Sequence, residues 1–215
     1  MKLAMGVPVT SNGVFGEVYG SHLALAAEMA KVGELTIISP FTAPSVDEAR
    51  NFIWKQAREC DYLMWVDHDV LLPINTFSSL FEALKRRSAQ VVAGRYYLRG
   101  HPYANIWALR HGNGFAFTES EKETEIDACG LGCTLIDVRW VEAKLKPPLF
   151  VTTRDEHGQT VGTEDYYFCR KVKDAGGIII GVPSVDCGHV ESKRTVVTSR
   201  NGDLLRRMEL QGDLE

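Results

Sequence analysis

Two aspartates, Asp67 and Asp69, follow directly on the apolar run Tyr62-Leu63-Met64-Trp65-Val66. Carboxylates spaced two apart on an extended chain point to the same side, where they can approach one divalent cation. Hard oxygen donors of this kind suit Mn2+ or Mg2+, ions that also bind phosphate oxygens. A cation held there would neutralise a diphosphate and make it a better leaving group. The plainer reading of an Asp-x-Asp triplet is the solvated end of a strand. The buried run before it and the groups downstream favour the metal.

Thr163-Glu164-Asp165 opens a helical segment after a loop bounded by Gly158 and Gly162, with Tyr166-Tyr167 behind it. Acids in a first helical turn are stabilised by the helix dipole, by about 0.3–1 kcal/mol, whatever else they do. A carboxylate at this place can also take a proton from an acceptor hydroxyl, which is general-base chemistry. His189 falls in a Gly188-His189 turn past the last apolar run and offers neutral imidazole as a third metal ligand. Lys193 and Arg194 bring charge suited to phosphate, or form a solvated basic turn.

These groups need a frame, and strand and helix signals alternate along the first half of the chain. That alternation predicts an α/β domain with a mostly parallel sheet covered by helices on both faces. Residues 3–9 read as a strand ending at Pro8-Val9-Thr10-Ser11, followed by a helix with Tyr19, Leu23, Ala26, Ala27 and Ala30 as its apolar stripe. Residues 35–38 form a second strand. Ser45 and Glu48 make a capping box for a helix running to about residue 59. Residues 62–66 are expected as a central strand buried on both faces. Ligands of open α/β sheets bind at the carboxyl ends of the strands, which is where Asp67 and Asp69 fall. Phe77, Leu80, Phe81 and Leu84 mark a further helix, and residues 90–97 a further strand.

The second half reads differently. Residues 96–118 suggest short strands and ligand-shaped loops, and 119–125 a charged, solvated turn. Residues 126–138 are strand-like around Gly130 and Gly132, 164–175 are helical up to Gly176-Gly177, and 178–182 form a last strand. Residues 1–192 make one domain. Residues 193–215 form a tail, read as a helix used for docking or homodimer formation.

Composition bounds the function classes. The 215 residues are 45% hydrophobic and 24% charged, an ordinary globular balance, and the net charge of −4 gives no overall bias toward nucleic acid. No apolar run reaches the roughly 18–20 residues that span a bilayer, and the start of the chain lacks the long apolar stretch of a secretion signal. Five cysteines without a CxxC pair fit buried thiols in a reduced, cytoplasmic chain.

In order and spacing these segments resemble the family 2 glycosyltransferases and the wider GT-A fold, from residue 3 to about 189. Ala49-Arg50-Asn51 resembles the family's helix before the metal strand. Residues 62–73 resemble the strand that bears the DXD motif, Thr163-Glu164-Asp165 the TED helix, and Gly188-His189 the late metal-binding histidine. The resemblance implies a single Rossmann-like, three-layer domain. It implies a metal-dependent glycosyltransferase that moves a sugar from a nucleotide-diphospho-sugar to an acceptor hydroxyl. Asp67, Asp69 and His189 would hold Mn2+ or Mg2+, and Asp165 would be the base. Pro8, Thr10, Arg50, Asp67, His68 and Lys193 would contact the donor, while Glu164 and Gly130 would contact the acceptor.

Two departures from the family pattern stand out. The usual Pro-x-Tyr-Asn ending of the first strand is Pro8-Val9-Thr10-Ser11, and Ser39-Pro40-Phe41 replaces the acids that often read uracil. Three alternatives stay open: a sugar-nucleotide nucleotidyltransferase, an inactive GT-A-like binding module, and a zinc site from Cys129, Cys133, Cys187 and His189.

Overall fold

The computed structural model describes residues 1–9, 16–39, 43–99, 104–112, 114–192, 195–200 and 203–209, those beyond 190 by backbone alone. The chain begins β1 (Lys2–Gly6), α1 (Gly16–Ala30), β2 (Glu34–Ile38), α2 (Val46–Ala57) and β3 (Tyr62–Val66). A two-residue strand, β4 (Val70–Leu71), leads into α3 (Thr76–Arg87) and β5 (Val91–Arg95). The hairpin of β6 (Ala108–His111) and β7 (Gly114–Phe117) precedes β8 (Thr124–Ile126), β9 (Cys133–Asp137) and α4 (Val138–Lys144). A second small hairpin, β10 (Thr153–Arg154) and β11 (Thr160–Gly162), runs into α5 (Glu164–Asp174). The chain continues through β12 (Ile179–Asp186), β13 (Gly188–Ser192), β14 (Thr195–Arg200) and β15 (Asp203–Glu209).

Seven strands form the central sheet in the order β2-β1-β3-β9-β5-β12-β8. β1 pairs in parallel with β2 and β3, and β5 with β12, while β9 runs antiparallel between β3 and β5. β8 closes the edge antiparallel to β12. Five strands therefore point one way and two, β9 and β8, the other: a mostly parallel α/β sheet. The inserted β9 matters because its amino end, at residues 130–132, lies beside the carboxyl end of β3.

Tyr62 and Trp65 stand three apart on β3, so they face opposite sides of the sheet. Tyr62 meets Phe81 of α3 edge-on at 5.2 Å, and Trp65 meets Phe150 at 5.5 Å and the Arg50 guanidinium of α2 at 5.1 Å. Helices thus cover both faces. Phe150 also stacks on Phe168 of α5 and touches Trp54 of α2, tying that layer together. All five residues of β3 and of β5 are buried. Ser45 caps α2, its hydroxyl accepting from the Glu48 amide at 3.4 Å.

Three sequence expectations change. The stripe of α1 is rotated: Val18, His22, Leu25 and Met29 are buried, while Tyr19 and Leu23 are more than half exposed. His22 turns inward because a backbone carbonyl, that of Val70, lies 3.3 Å from its Nε2. The charged run 119–125 is a set of staples, not a free turn. Glu121 pairs with Arg95 at 2.9 Å, Glu125 with Lys173 at 2.6 Å, and Glu123 with Arg86. Finally, the described part of the tail is not helical. β14 and β15 pair antiparallel, and β14 extends β13. The β-branched run Thr195-Val196-Val197-Thr198 favours strand over helix, and Asn201-Gly202 in the sequence is a strong hairpin signal.

Candidate active site

The two aspartates are brought together by a turn, not by an extended strand. The Asp67 amide donates to the Gly132 carbonyl at 3.0 Å, ending the β3–β9 ladder, and the Val70 amide returns to the Asp67 carbonyl at 3.1 Å. His68 and Asp69 sit inside that turn. The sequence argument from strand alternation therefore fails here, although both side chains still line one cleft.

His189 reaches the same place through a strand rather than a turn. β13 pairs with β4, setting His189 opposite Val70, and the Val190 amide donates to the Asp69 carbonyl at 2.8 Å. Its ring is buried, edge-on to Tyr96 at 5.4 Å. Nδ1 lies 2.7 Å from the Tyr97 carbonyl oxygen, which can only accept. Nδ1 therefore carries the proton and donates. In the neutral ring Nε2 is then a lone pair, 3.6 Å from Asp69 Oδ2. With a proton on Nε2 the two side chains form an ion pair; without it, Nε2 and Oδ2 both present lone pairs that one cation would bridge.

Asp69 is 3% exposed. Burial raises its pKa, but His189, His68 and Arg99 outweigh that and leave it below the usual carboxylate range. Arg99 Nη1 sits 3.0 Å from Asp69 Oδ2. Asp67 is held by Arg50 Nη2 at 2.9 Å, and the same guanidinium takes Glu164 Oε1 with Nε at 3.0 Å. Arg50 is 2% exposed. Burial pulls its pKa down, yet the charges of Asp67, Glu164 and Asp165 raise it above its ordinary value. Its Nη1 has no hydrogen-bond partner among the described residues. Arg50, implied to contact the nucleotide, stands as a buried brace between the acidic turn and α5. Glu164, expected beside the acceptor, is the other end of that brace.

Asp165 lines the cleft. Its Oδ1 accepts from the Tyr166 amide at 2.7 Å and from the Thr163 hydroxyl. The carboxyl keeps a narrow opening to solvent, but burial, then the neighbouring Glu164 charge, push its pKa up to about 6. Tyr96 lies under the cleft floor, its phenol accepting from the Gly132 amide at 2.9 Å. A Cβ on Gly132 would stand 2.8 Å from the Tyr96 oxygen and 2.9 Å from Asp67 Oδ2, so glycine is required there. Gly130 is likewise buried and pressed against Tyr96 and Ile106.

The cleft has a volume of about 300 Å³ and is lined by Pro8, Val46, Asp67, His68, Asp69, Tyr96, Arg99, Ile106, Asp165 and His189. Of the residues singled out in the sequence, Pro8, Asp67, His68, Asp69, Asp165 and His189 line this cleft, while Arg50, Gly130 and Glu164 do not. Thr10 and Lys193 lie outside the described residues. Tyr96, Arg99, Ile106 and Val46 were not foreseen, although residues 96–118 had read as ligand-shaped. As the side chains stand, no three His, Cys, Asp or Glu residues among those described are arranged to hold a metal ion. The alternative zinc set of Cys129, Cys133, Cys187 and His189 is therefore not assembled, and Cys129, Cys133, Cys169 and Cys187 are buried free thiols. No helix among the described residues is long and apolar enough to cross a membrane.

No protein-family model and no curated protein sequence matches the chain. Solved structures do. A197 from STIV is 21% identical with a TM-score of 0.67, the match covering 98% of this chain and 100% of that one. GalNAc-T7, solved with UDP, GalNAc and Mn2+, is 14% identical with a TM-score of 0.60, covering 88% of this chain and 44% of that one. The chain thus spans under half the length of GalNAc-T7. At these identities the likeness is one of fold: the seven-stranded α/β architecture is GT-A-like.

Proposed function

We propose that the chain is a metal-dependent glycosyltransferase that moves a sugar from a nucleotide-diphospho-sugar to an acceptor hydroxyl, with inversion. The observation that carries this reading is the single cleft shared by Asp67, Asp69, His189 and Asp165, contributed by three separate parts of the chain. The oxygen and imidazole donors of Asp67, Asp69 and His189 suit Mn2+ or Mg2+, and the Nδ1 bond to Tyr97 leaves the His189 Nε2 free to bind. Bound there, the ion would neutralise the diphosphate of the donor.

Asp165 holds the other half of the chemistry. With a pKa of about 6 it is largely ionised at neutral pH yet basic enough to accept a proton, the range that favours a general base. It would take the proton of the acceptor hydroxyl as that oxygen bonds to the anomeric carbon. The bond to the diphosphate breaks on the opposite face, so the anomeric centre inverts. GalNAc-T7, with UDP and Mn2+ in its structure, is a fold-level precedent for such a donor and ion.

The test is to incubate the chain with a panel of nucleoside-diphosphate sugars and Mn2+ and measure released nucleoside diphosphate. Slow release that is lost in Asp69→Asn is expected. Release undiminished in Asp69→Asn, or synthesis of a nucleotide-sugar from a nucleoside triphosphate and a sugar phosphate, would overturn the reading.

A further inference from the structure

We propose that Arg99 is an exchangeable counter-ion: it neutralises Asp69 in the free protein and moves to the diphosphate when a divalent cation takes its place. This rests on the metal-dependent reading above and adds a residue and a step to it. The two acids of the turn each carry a guanidinium, but the two arginines differ. Arg50 is sealed behind Asp67 and tied also to Glu164, so it cannot leave without breaking the fold's internal brace. Arg99 has a side chain 51% exposed and, among the described residues, makes one ion pair, to Asp69 Oδ2 at 3.0 Å. An ion pair half open to water is weak, and a long side chain with solvent around it can swing away at little cost.

The position matters as much as the mobility. Asp69 Oδ2 is also the oxygen nearest His189 Nε2, so it is the one a shared cation would need. A guanidinium and a divalent ion compete for that oxygen, because the two positive charges repel across a few ångströms and the half-exposed Arg99 contact is the weaker of the two. Once released, Arg99 remains on the wall of the same cleft. A diphosphate held against the ion would then lie within its reach, and the planar fork of donors matches phosphate oxygens. The positive charge thus stays in the cleft and changes its anionic partner.

This predicts effects of opposite sign from one substitution. Arg99→Gln should bind Mn2+ alone about two- to fivefold more tightly than the parent, since a weak competitor has been removed. At saturating Mn2+ it should bind pyrophosphate about tenfold more weakly, having lost a charge-assisted contact. Mn2+ binding is read by electron paramagnetic resonance and pyrophosphate binding by calorimetry. Arg139→Gln removes the same charge on α4, where Arg139 pairs with Asp61 outside the cleft, and should move neither value. Mn2+ affinity that is unchanged or weaker in Arg99→Gln, in a protein whose Mn2+ binding is abolished by Asp69→Asn, overturns the exchange and leaves the metal site intact. A parent whose Mn2+ binding survives Asp69→Asn removes the site itself, and the exchange with it.

Discussion

Replacing Asp165 with asparagine should make the protein more stable, and only at the pH where the carboxylate is charged. The carboxyl ordinarily titrates at 3.8 and in the fold at about 6, a rise of about two units driven first by burial and then by Glu164. A folded pKa above the unfolded one means that the native state binds the proton more tightly. The stability this gives is fully present below about pH 4 and is lost as pH rises to about 6. Two units correspond to about 3 kcal/mol at most, and the opening of the carboxyl to solvent reduces this to about 1–2 kcal/mol. Asparagine keeps an oxygen for the Tyr166 amide and the Thr163 hydroxyl but carries no charge at any pH. Urea denaturation at pH 8 should therefore show the variant about 1–2 kcal/mol above the parent, and the gap should close by pH 4. Turnover should fall by about 10²–10⁴-fold if the carboxylate is the base. A variant less stable at pH 8, or a gain that does not vary with pH, would refute the electrostatic argument.

Gly132→Ala should cost about 1–3 kcal/mol in denaturant unfolding, because its Cβ meets both the Tyr96 oxygen and Asp67 Oδ2 within 3.0 Å. Mn2+-dependent nucleotide binding should fall with it, and an alanine variant with parental stability would show that the floor yields. Arg50→Met should cost about 3–5 kcal/mol, since Asp67 and the buried Glu164 lose their shared counter-charge. Adding Glu164→Gln should recover part of that loss in the same unfolding assay, and no recovery would mean that the brace is not electrostatic.

The parts of this protein legible from sequence are those written in contiguous residues. The apolar run 62–66, the Ser45 cap and the short helix opened by Glu164 and Asp165 each announce themselves locally, and the structure has them as β3, α2 and α5. The α1 stripe failed because two competing apolar faces exist on that helix, and the choice between them was made by His22 and Glu28. These reach across to the Val70 carbonyl and to the Phe77 and Ser78 amides. Such partners are about fifty residues away and leave no periodic trace. The geometry of the acidic turn was misread for a related reason. Strand alternation was extended one residue too far, whereas β9, laid antiparallel beside β3, ends the ladder at Asp67. Arg99 and Tyr96 were hidden because what makes them part of the cleft is where β5 ends relative to β3, a fact of sheet order.

The proposed ligands also have an order of arrival set by charge. Among the described residues the permanent cations paired with Asp67, Asp69 and Glu164 are Arg50 and Arg99, and Asp165 adds a further negative charge above about pH 6. A diphosphate approaching this wall by itself meets a surplus of its own sign in a place where burial weakens screening. The brace cannot relieve the repulsion, because Arg50 is buried and shared between two acids. Relief has to come from outside the chain, as a cation at Asp69 and His189. That step would free Arg99, whose side chain is half exposed. Under the proposed function the cation would be a precondition of donor binding: calorimetry should show nucleoside diphosphate binding with Mn2+ present and none without it, and equal binding in both would refute this order.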